Sequence, residues 1–252
     1  MIKISPQSIT WPLSLVALLL ILANCFSLVA EAIGYGDMGG LVPLLDMDQE
    51  QNLPTFFSLF LAIIASALLL AISTIKRKIA RPWKLWAALS AIFLFVAMDD
   101  FIGLHERLSQ PMRELFDAHG LLFFAWIIPY GVLAMVLAGV YGRFVFQMPI
   151  RIRNGLLFAA TLFLAGAIGL EMLGGLLFEY SQMSKTPLYS MIATIAESLE
   201  MAGMIVFIHT LLNYIEHVQK NILLQIGTYD PLAEIIRIAE MARQSVYGTD
   251  GR

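Results

Sequence analysis

Asp99, Asp100, His105 and Glu106 fall in one short stretch, MDDFIGLHER from Met98 to Arg107, and an apolar run beginning at Trp83 leads straight into them. Three more acids, Glu171, Glu197 and Glu200, interrupt later apolar runs. Carboxylates and imidazole are hard oxygen and nitrogen donors. Gathered at one place, they suit calcium, magnesium, manganese or iron, or protons in place of a cation, and they suit copper(I) or a thiolate zinc site poorly. We therefore expect Asp99, His105, Glu106, Glu171, Glu197 and Glu200 to form one site for a hard divalent cation or for protons. Carboxylates so close together cannot all be ionised unless something compensates them. A carboxylate di-metal bundle normally carries two Glu-x-x-His motifs, and the chain has none, which argues against di-iron.

The elements that must position these residues are membrane helices. The chain has 252 residues, 59% of them hydrophobic and only 14% charged, far more apolar than a soluble domain. About 20 apolar residues are needed to cross a bilayer, and six segments qualify, near residues 11–33, 54–76, 83–104, 121–143, 155–178 and 187–215. The expected fold is an all-α polytopic bundle: a six-helix transmembrane domain over 1–218 and a cytoplasmic tail over 219–252. In that tail Asp230 and Pro231 start a short amphipathic helix.

The first apolar run is longer than a signal-peptide core, so it reads as an uncleaved anchor. One cysteine, Cys25, excludes an internal disulfide and a cysteine metal cluster, and reads as a small buried residue. No phosphate loop, nucleophile elbow or nucleic-acid-binding patch is present, and no lysine lies within a span, which excludes a retinal Schiff base.

Lysine and arginine set orientation. The loop after the second span holds Lys76, Arg77, Lys78, Arg81 and Lys84, and the loop after the fourth holds Arg143, Arg151 and Arg153. Those loops are read as cytoplasmic, with both termini, in a bacterial inner membrane. Only Arg107, Arg113 and Lys185 then remain outside, where most of the acids also lie; such a face attracts cations.

Along the chain, Asn24 and Glu31 share a helical face, and Asn24 reads as a packing contact. Asp46, Asp48 and Glu50 alternate in the first outer loop, but Gln51 and Phe57 stand where a calcium loop needs glycine and glutamate, so an EF-hand is rejected. Trp83 and Trp86 read as interfacial aromatics, Pro129 as a kink in the fourth span, and Pro111 as an interruption of the segment from His105 to Gly120. Ala167, Gly174 and Gly175 place Glu171 in a strip of small residues that admits a close helix neighbour.

At 1.5 Å per residue, Asp99 and Glu171 lie roughly 24 Å from the inner starts of their spans and Glu197 about 15 Å from its outer start, comparable levels in the outer half of the bilayer. On an ideal helix Asp99 and Glu106 share a face, and Asp100 and Arg107 share another, so Arg107 is expected to pair with Asp100. His105 reaches Asp99 only if the helix unwinds near Gly103.

The order of an acid, four residues, His-Glu, then a lone glutamate among glycines, then Glu-x-x-Glu-x-x-Gly is carried here by Asp100, His105, Glu106, Glu171, Glu197, Glu200 and Gly203. It resembles a group of uncharacterised bacterial six-span membrane proteins. The resemblance implies the fold and no activity.

Three functional classes stay open. The first is cation or proton binding or translocation; the second is a metal-dependent enzyme acting on a lipid or quinone at the outer leaflet. The third is a structural or sensing protein whose acids are protonated packing struts. The inner halves of spans two, three and five are nearly free of ionisable groups, which counts against a continuous proton path. The expected partner is the lipid bilayer; a homo-oligomer stays open, and nucleic acid is excluded.

Overall fold

The computed structural model describes residues 5–78 and 82–227, with side chains as far as 218, and all its regular structure is helical. Six helices are long and apolar enough to cross a membrane. The chain divides into two units, Met1–Asn213 and Tyr214–Arg252. The short helix expected after Asp230 lies outside the described residues.

Helix α1, Pro6–Ala30, starts where Ser5 caps it: the Ser5 hydroxyl oxygen accepts from the Ser8 amide at 3.3 Å, and Pro6 supplies a preset first turn. It runs on into a π-helical turn, Glu31–Tyr35, and a short helix α2, Leu41–Leu45, follows in the loop. Helices α3, Leu53–Lys78, and α4, Lys84–Ile102, pack as a hairpin. Its seam is polar but satisfied, since the Ser66 and Ser90 hydroxyls each donate 2.8 Å to the other residue's carbonyl. Helix α5, Leu104–Phe116, is followed by α6, Ile127–Phe146, and α7, Ile150–Leu164. A π-helical segment, Ala165–Leu170, joins α7 to α8, Glu171–Tyr180, and the chain ends its described part in α9, Pro187–Gly227.

Four expectations fail locally. Helix α6 starts at Ile127, so Pro129 lies in the first turn, where its missing N–H costs no helical bond and no kink is needed. Helix α5 continues through Pro111. Trp86 is not interfacial: it is 2% exposed and packs edge-on against Phe144, ring centroids 5.1 Å apart. Cys25 is exposed and not a core residue, because the buried face of α1 is occupied by Asn24 and Ser27.

Span five meets span six through glycine. A methyl group on Gly203 would stand 2.8 Å from the Phe163 amide nitrogen and 2.9 Å from the Ala159 carbonyl; one on Gly166 would collide with the Ala196 carbonyl. The close approach sets the registers of Glu171 and Glu200 against each other, as small residues do between membrane helices. The glycines after Glu171 admit aromatic side chains: Gly175 lies against Phe123 and Phe124, and Gly174 against Tyr189 and Phe124. Gly203→Ala is expected to lower stability by about 1 to 3 kcal/mol through overpacking. Gly139→Ala, where nothing lies within 4 Å, should leave the melting temperature unchanged or slightly raised. Thermal unfolding of the two variants in detergent makes the comparison.

Candidate functional site

Helix α4 ends because Gly103 adopts a left-handed conformation, φ 61° and ψ 43°, and donates its N–H to the Asp99 carbonyl at 2.9 Å. The chain is thereby re-aimed, and α5 starts at once. The unwinding on which His105 depended is present at the glycine. The His105 amide donates to Asp99 Oδ1 at 3.0 Å, and its ring Nδ1 faces Asp99 Oδ2 at 3.3 Å. On the other side of the ring, Nε2 faces Glu50 Oε1 at 3.8 Å. An imidazolium has two N–H donors; here each ring nitrogen faces a carboxylate, Asp99 close by and Glu50 beyond hydrogen-bond distance.

Glu50 comes from the loop before α3 and presses on the same glycine: a methyl group on Gly103 would collide with its carboxylate. Trp126 and Tyr130, from the entry to α6 and its first turn, set their rings edge-on to His105 at 4.9 and 6.4 Å. Asp99 itself is only 6% exposed. Two buried side-chain oxygens here lack a hydrogen-bond partner, Glu50 Oε1 and the Tyr130 hydroxyl, and both border the His105–Asp99 pair.

The break that brings His105 in also overturns the face argument for its neighbours. Arg107 is exposed and makes no ion pair with any described acid, so its expected pairing with Asp100 fails: the two residues belong to different helices across Gly103. Glu106 stands exposed at the rim, within electrostatic range of Glu50, His105 and Glu171.

Deeper in, Asp100, Glu171, Glu197 and Glu200 are close enough to influence one another. Glu197 feels Asp100, Glu171, Asp48 and Glu50; Glu200 feels Glu197, Glu171 and Asp100. Glu171 follows the π-helical segment, and its N–H reaches back to Gly166, a local widening of the kind often found at functional sites. No hydrogen bond or ion pair joins these four carboxyl groups to another described residue. All four residues are part-buried among protein.

Among the described residues, no group of three or more histidine, cysteine, aspartate or glutamate side chains is arranged to hold a metal ion. The carboxylates converge electrostatically but do not close on a common point, and the expected divalent-cation site finds no support in this geometry.

A second polar layer holds the loop over the site. Asn24, fully buried, donates to the Thr194 hydroxyl at 2.8 Å and accepts from the Met47 amide at 3.2 Å, so it ties span one and the loop to span six. Lys185 is ion-paired with Asp48 and lies 3.7 Å from Asp46, while the Tyr189 hydroxyl donates to Asp48 at 2.7 Å. Burial would lower the Lys185 pKa, but Asp48 and Asp46 outweigh it and raise it, so the ammonium stays charged. At the same end His119 bridges Glu179 at 2.8 Å and Asp117 at 3.3 Å. Glu50, Asp48, Tyr130 and Lys185 were absent from the expected site. The alternation Asp46, Asp48, Glu50 marked the loop as unusual without showing that it folds back onto α4.

The pKa of Glu50 is pushed up to about 7, first by burial and then by Glu106, with His105 opposing. Burial works against charge on His105 too, but its hydrogen bond to Asp99 and the charges of Asp99, Glu50 and Glu106 win, and its pKa is raised. Both groups thus bind protons more tightly folded than unfolded. Their contributions are fully present below the unfolded values, 4.5 for Glu50 and 6.5 for His105, and are lost as pH rises through about 7 for Glu50 and above 6.5 for His105. The melting temperature should therefore fall between about pH 5 and about pH 8, and Glu50→Gln should flatten that fall. A slope unchanged in the variant would remove Glu50 from the linkage. Gly103→Ala should cost about 1 to 3 kcal/mol at any pH in this range, from the left-handed backbone and the displaced Glu50 carboxylate.

No curated protein and no solved structure matches the chain. A family model described as Domain of unknown function (DUF8692) matches residues 13–215, a stretch that holds all six candidate spans except their outermost turns and every residue of the cluster. By that match the chain belongs to the DUF8692 family.

Proposed function

We propose that this chain is a multi-pass inner-membrane protein, with both termini in the cytoplasm, whose carboxylate and histidine cluster takes up and releases protons from the outer side. It acts as a one-sided binding or sensing site. The observation that carries this reading is the combination of unpartnered, part-buried carboxyl groups on Asp100, Glu171, Glu197 and Glu200 with the apolar core packed next to them along the helices. Ala97, Met201, Met204, Ile205 and Ile208 pack there against Leu61 and Ala65, all buried. Along α9 the next ionisable side chain after Glu200 is His209, about 14 Å further on. His209 is itself engaged, with its Nδ1 3.2 Å from the Thr10 hydroxyl. A proton path needs hydrogen-bonding groups or water in contact, and close-packed methionine and isoleucine supply neither. That favours binding over translocation, and the lack of a metal-competent grouping among the described residues favours protons over a divalent cation.

Infrared difference spectroscopy of the protein in lipid nanodiscs, stepped in pH, tests the reading. Carboxylic C=O bands should appear as the pH is lowered, and Glu197→Gln and Glu200→Gln should each remove part of them. In proteoliposomes under an imposed pH gradient, the wild type should conduct no more protons than empty vesicles. Bands that do not respond to pH would reduce the acids to packing struts. A proton flux lost in Glu200→Gln would establish a through path.

A further inference from the structure

Beside the acid cluster, on the other face of α9, a cavity of about 980 Å³ opens between α1 and α9 under the loop that carries α2. Its flanks run from Ile21 to Ala32 on α1 and its π turn, and from Pro187 to Leu199 on α9. At 1.5 Å per residue these are about 16 and 18 Å, close to one leaflet of a hydrocarbon core about 30 Å thick. The wall is apolar. Val29, Met191 and Ile195 are 60%, 53% and 44% exposed along its rim, and the hydroxyls of Thr194 and Ser198 donate to the Ser190 and Thr194 carbonyls at 2.7 and 2.6 Å. The interior therefore offers a ligand little beyond hydrocarbon contact.

The mouth is different. Among the described residues, Glu31, Asp37 and Asp46 line it together with one cation, Lys185. Lys185 has three N–H donors, two acids within 4 Å, and a side chain 46% exposed. One donor remains for an incoming anion. Glu31 is exposed and makes no ion pair with a described residue, so the mouth has carboxylate in excess around a single ammonium.

We propose that this cleft binds a membrane phospholipid with an ethanolamine headgroup: its phosphate rests on Lys185, its ammonium lies among Glu31, Asp37 and Asp46, and its acyl chain fills the groove. The charge pattern selects among lipids. A purely anionic headgroup would meet three acids. A choline headgroup has no N–H to donate to them, and among the described residues no aromatic ring lines the cleft to receive a quaternary ammonium. This assignment does not depend on the proton reading: the groove lies on the face of α9 away from Glu197 and Glu200, although Asp46 and Lys185 at its mouth also belong to the layer that holds the loop.

Cys25, the single cysteine, lines the cleft and is exposed, so the protein carries its own reporter. Purified protein in detergent should react with a maleimide at Cys25. Added phosphatidylethanolamine should slow that reaction by about tenfold more than equal phosphatidylglycerol or phosphatidylcholine. Native mass spectrometry should show one retained phosphatidylethanolamine. Glu31→Gln should reduce the preference between headgroups while leaving the melting temperature unchanged, and Ile195→Trp, which fills the groove from an exposed position, should abolish lipid retention. Equal protection by all three lipids, or none by any, would overturn the assignment. So would disulfide-linked dimers through Cys25 on mild oxidation together with lipid-independent labelling, which would give the cleft to a second copy of the chain.

Discussion

The left-handed turn at Gly103 is the constraint on which the site depends. A continuous helix would carry His105 about a third of a turn away from Asp99. Breaking it at one residue lets the imidazole fold back onto the carboxylate that precedes it by six positions, while the Gly103 N–H still satisfies a carbonyl of the last turn. The missing side chain does a second job, because the Glu50 carboxylate occupies the space a Cβ would take. Glycine is thus required twice, once for its backbone angle and once for its size. Both requirements serve the same contact, a histidine held between two acids.

That contact would not persist if the loop bearing Glu50 were free to swing. It is held at several points by hydrogen bonds and an ion pair. Asn24 bonds the loop amide of Met47 from inside the bundle, and Asn52 donates to the Asp46 carbonyl. Lys185, just before span six, and Tyr189, within it, clamp Asp48. Asp48 also lies within electrostatic range of Glu171 and Glu197. A change of charge in the inner acids is therefore felt at the clamp that positions the loop, and the loop positions Glu50 against His105. The two polar layers form one electrostatic unit.

The cluster sits between two contrasting neighbourhoods. Towards the basic end of the bundle the helices close on methionine, isoleucine and alanine. Towards the acidic end the chain spends its ionisable groups freely, and His119, Glu179 and Asp117 make a further linked group at the surface. Glycine at positions 166 and 203 sets how near spans five and six approach, and so decides that Glu171 and Glu200 sense each other at all.

The hydrophobic pattern alone determined the helical class, the number of apolar spans and the set of suspect acids, because a chain this apolar must satisfy its backbone within helices and every charge in such a span stands out against the cost of placing it there. It also determined that His105 could join Asp99 only through a break at Gly103, since helical geometry offers no other way. Tertiary structure decided what periodicity cannot carry. Glu50 belongs to the site because a loop folds across a helix end, and loop paths leave no periodic trace. Arg107 lost Asp100 because a face argument holds only within one unbroken helix. Pro129 bent nothing because its place in the helix depends on where packing lets the helix start. Cys25 and the cleft beside it faced outward because Asn24 and Ser27, both polar, took the buried face of α1 to reach partners on span six and on their own helix; a hydrogen bond that satisfies a buried amide can outweigh the hydrophobic preference of its neighbour.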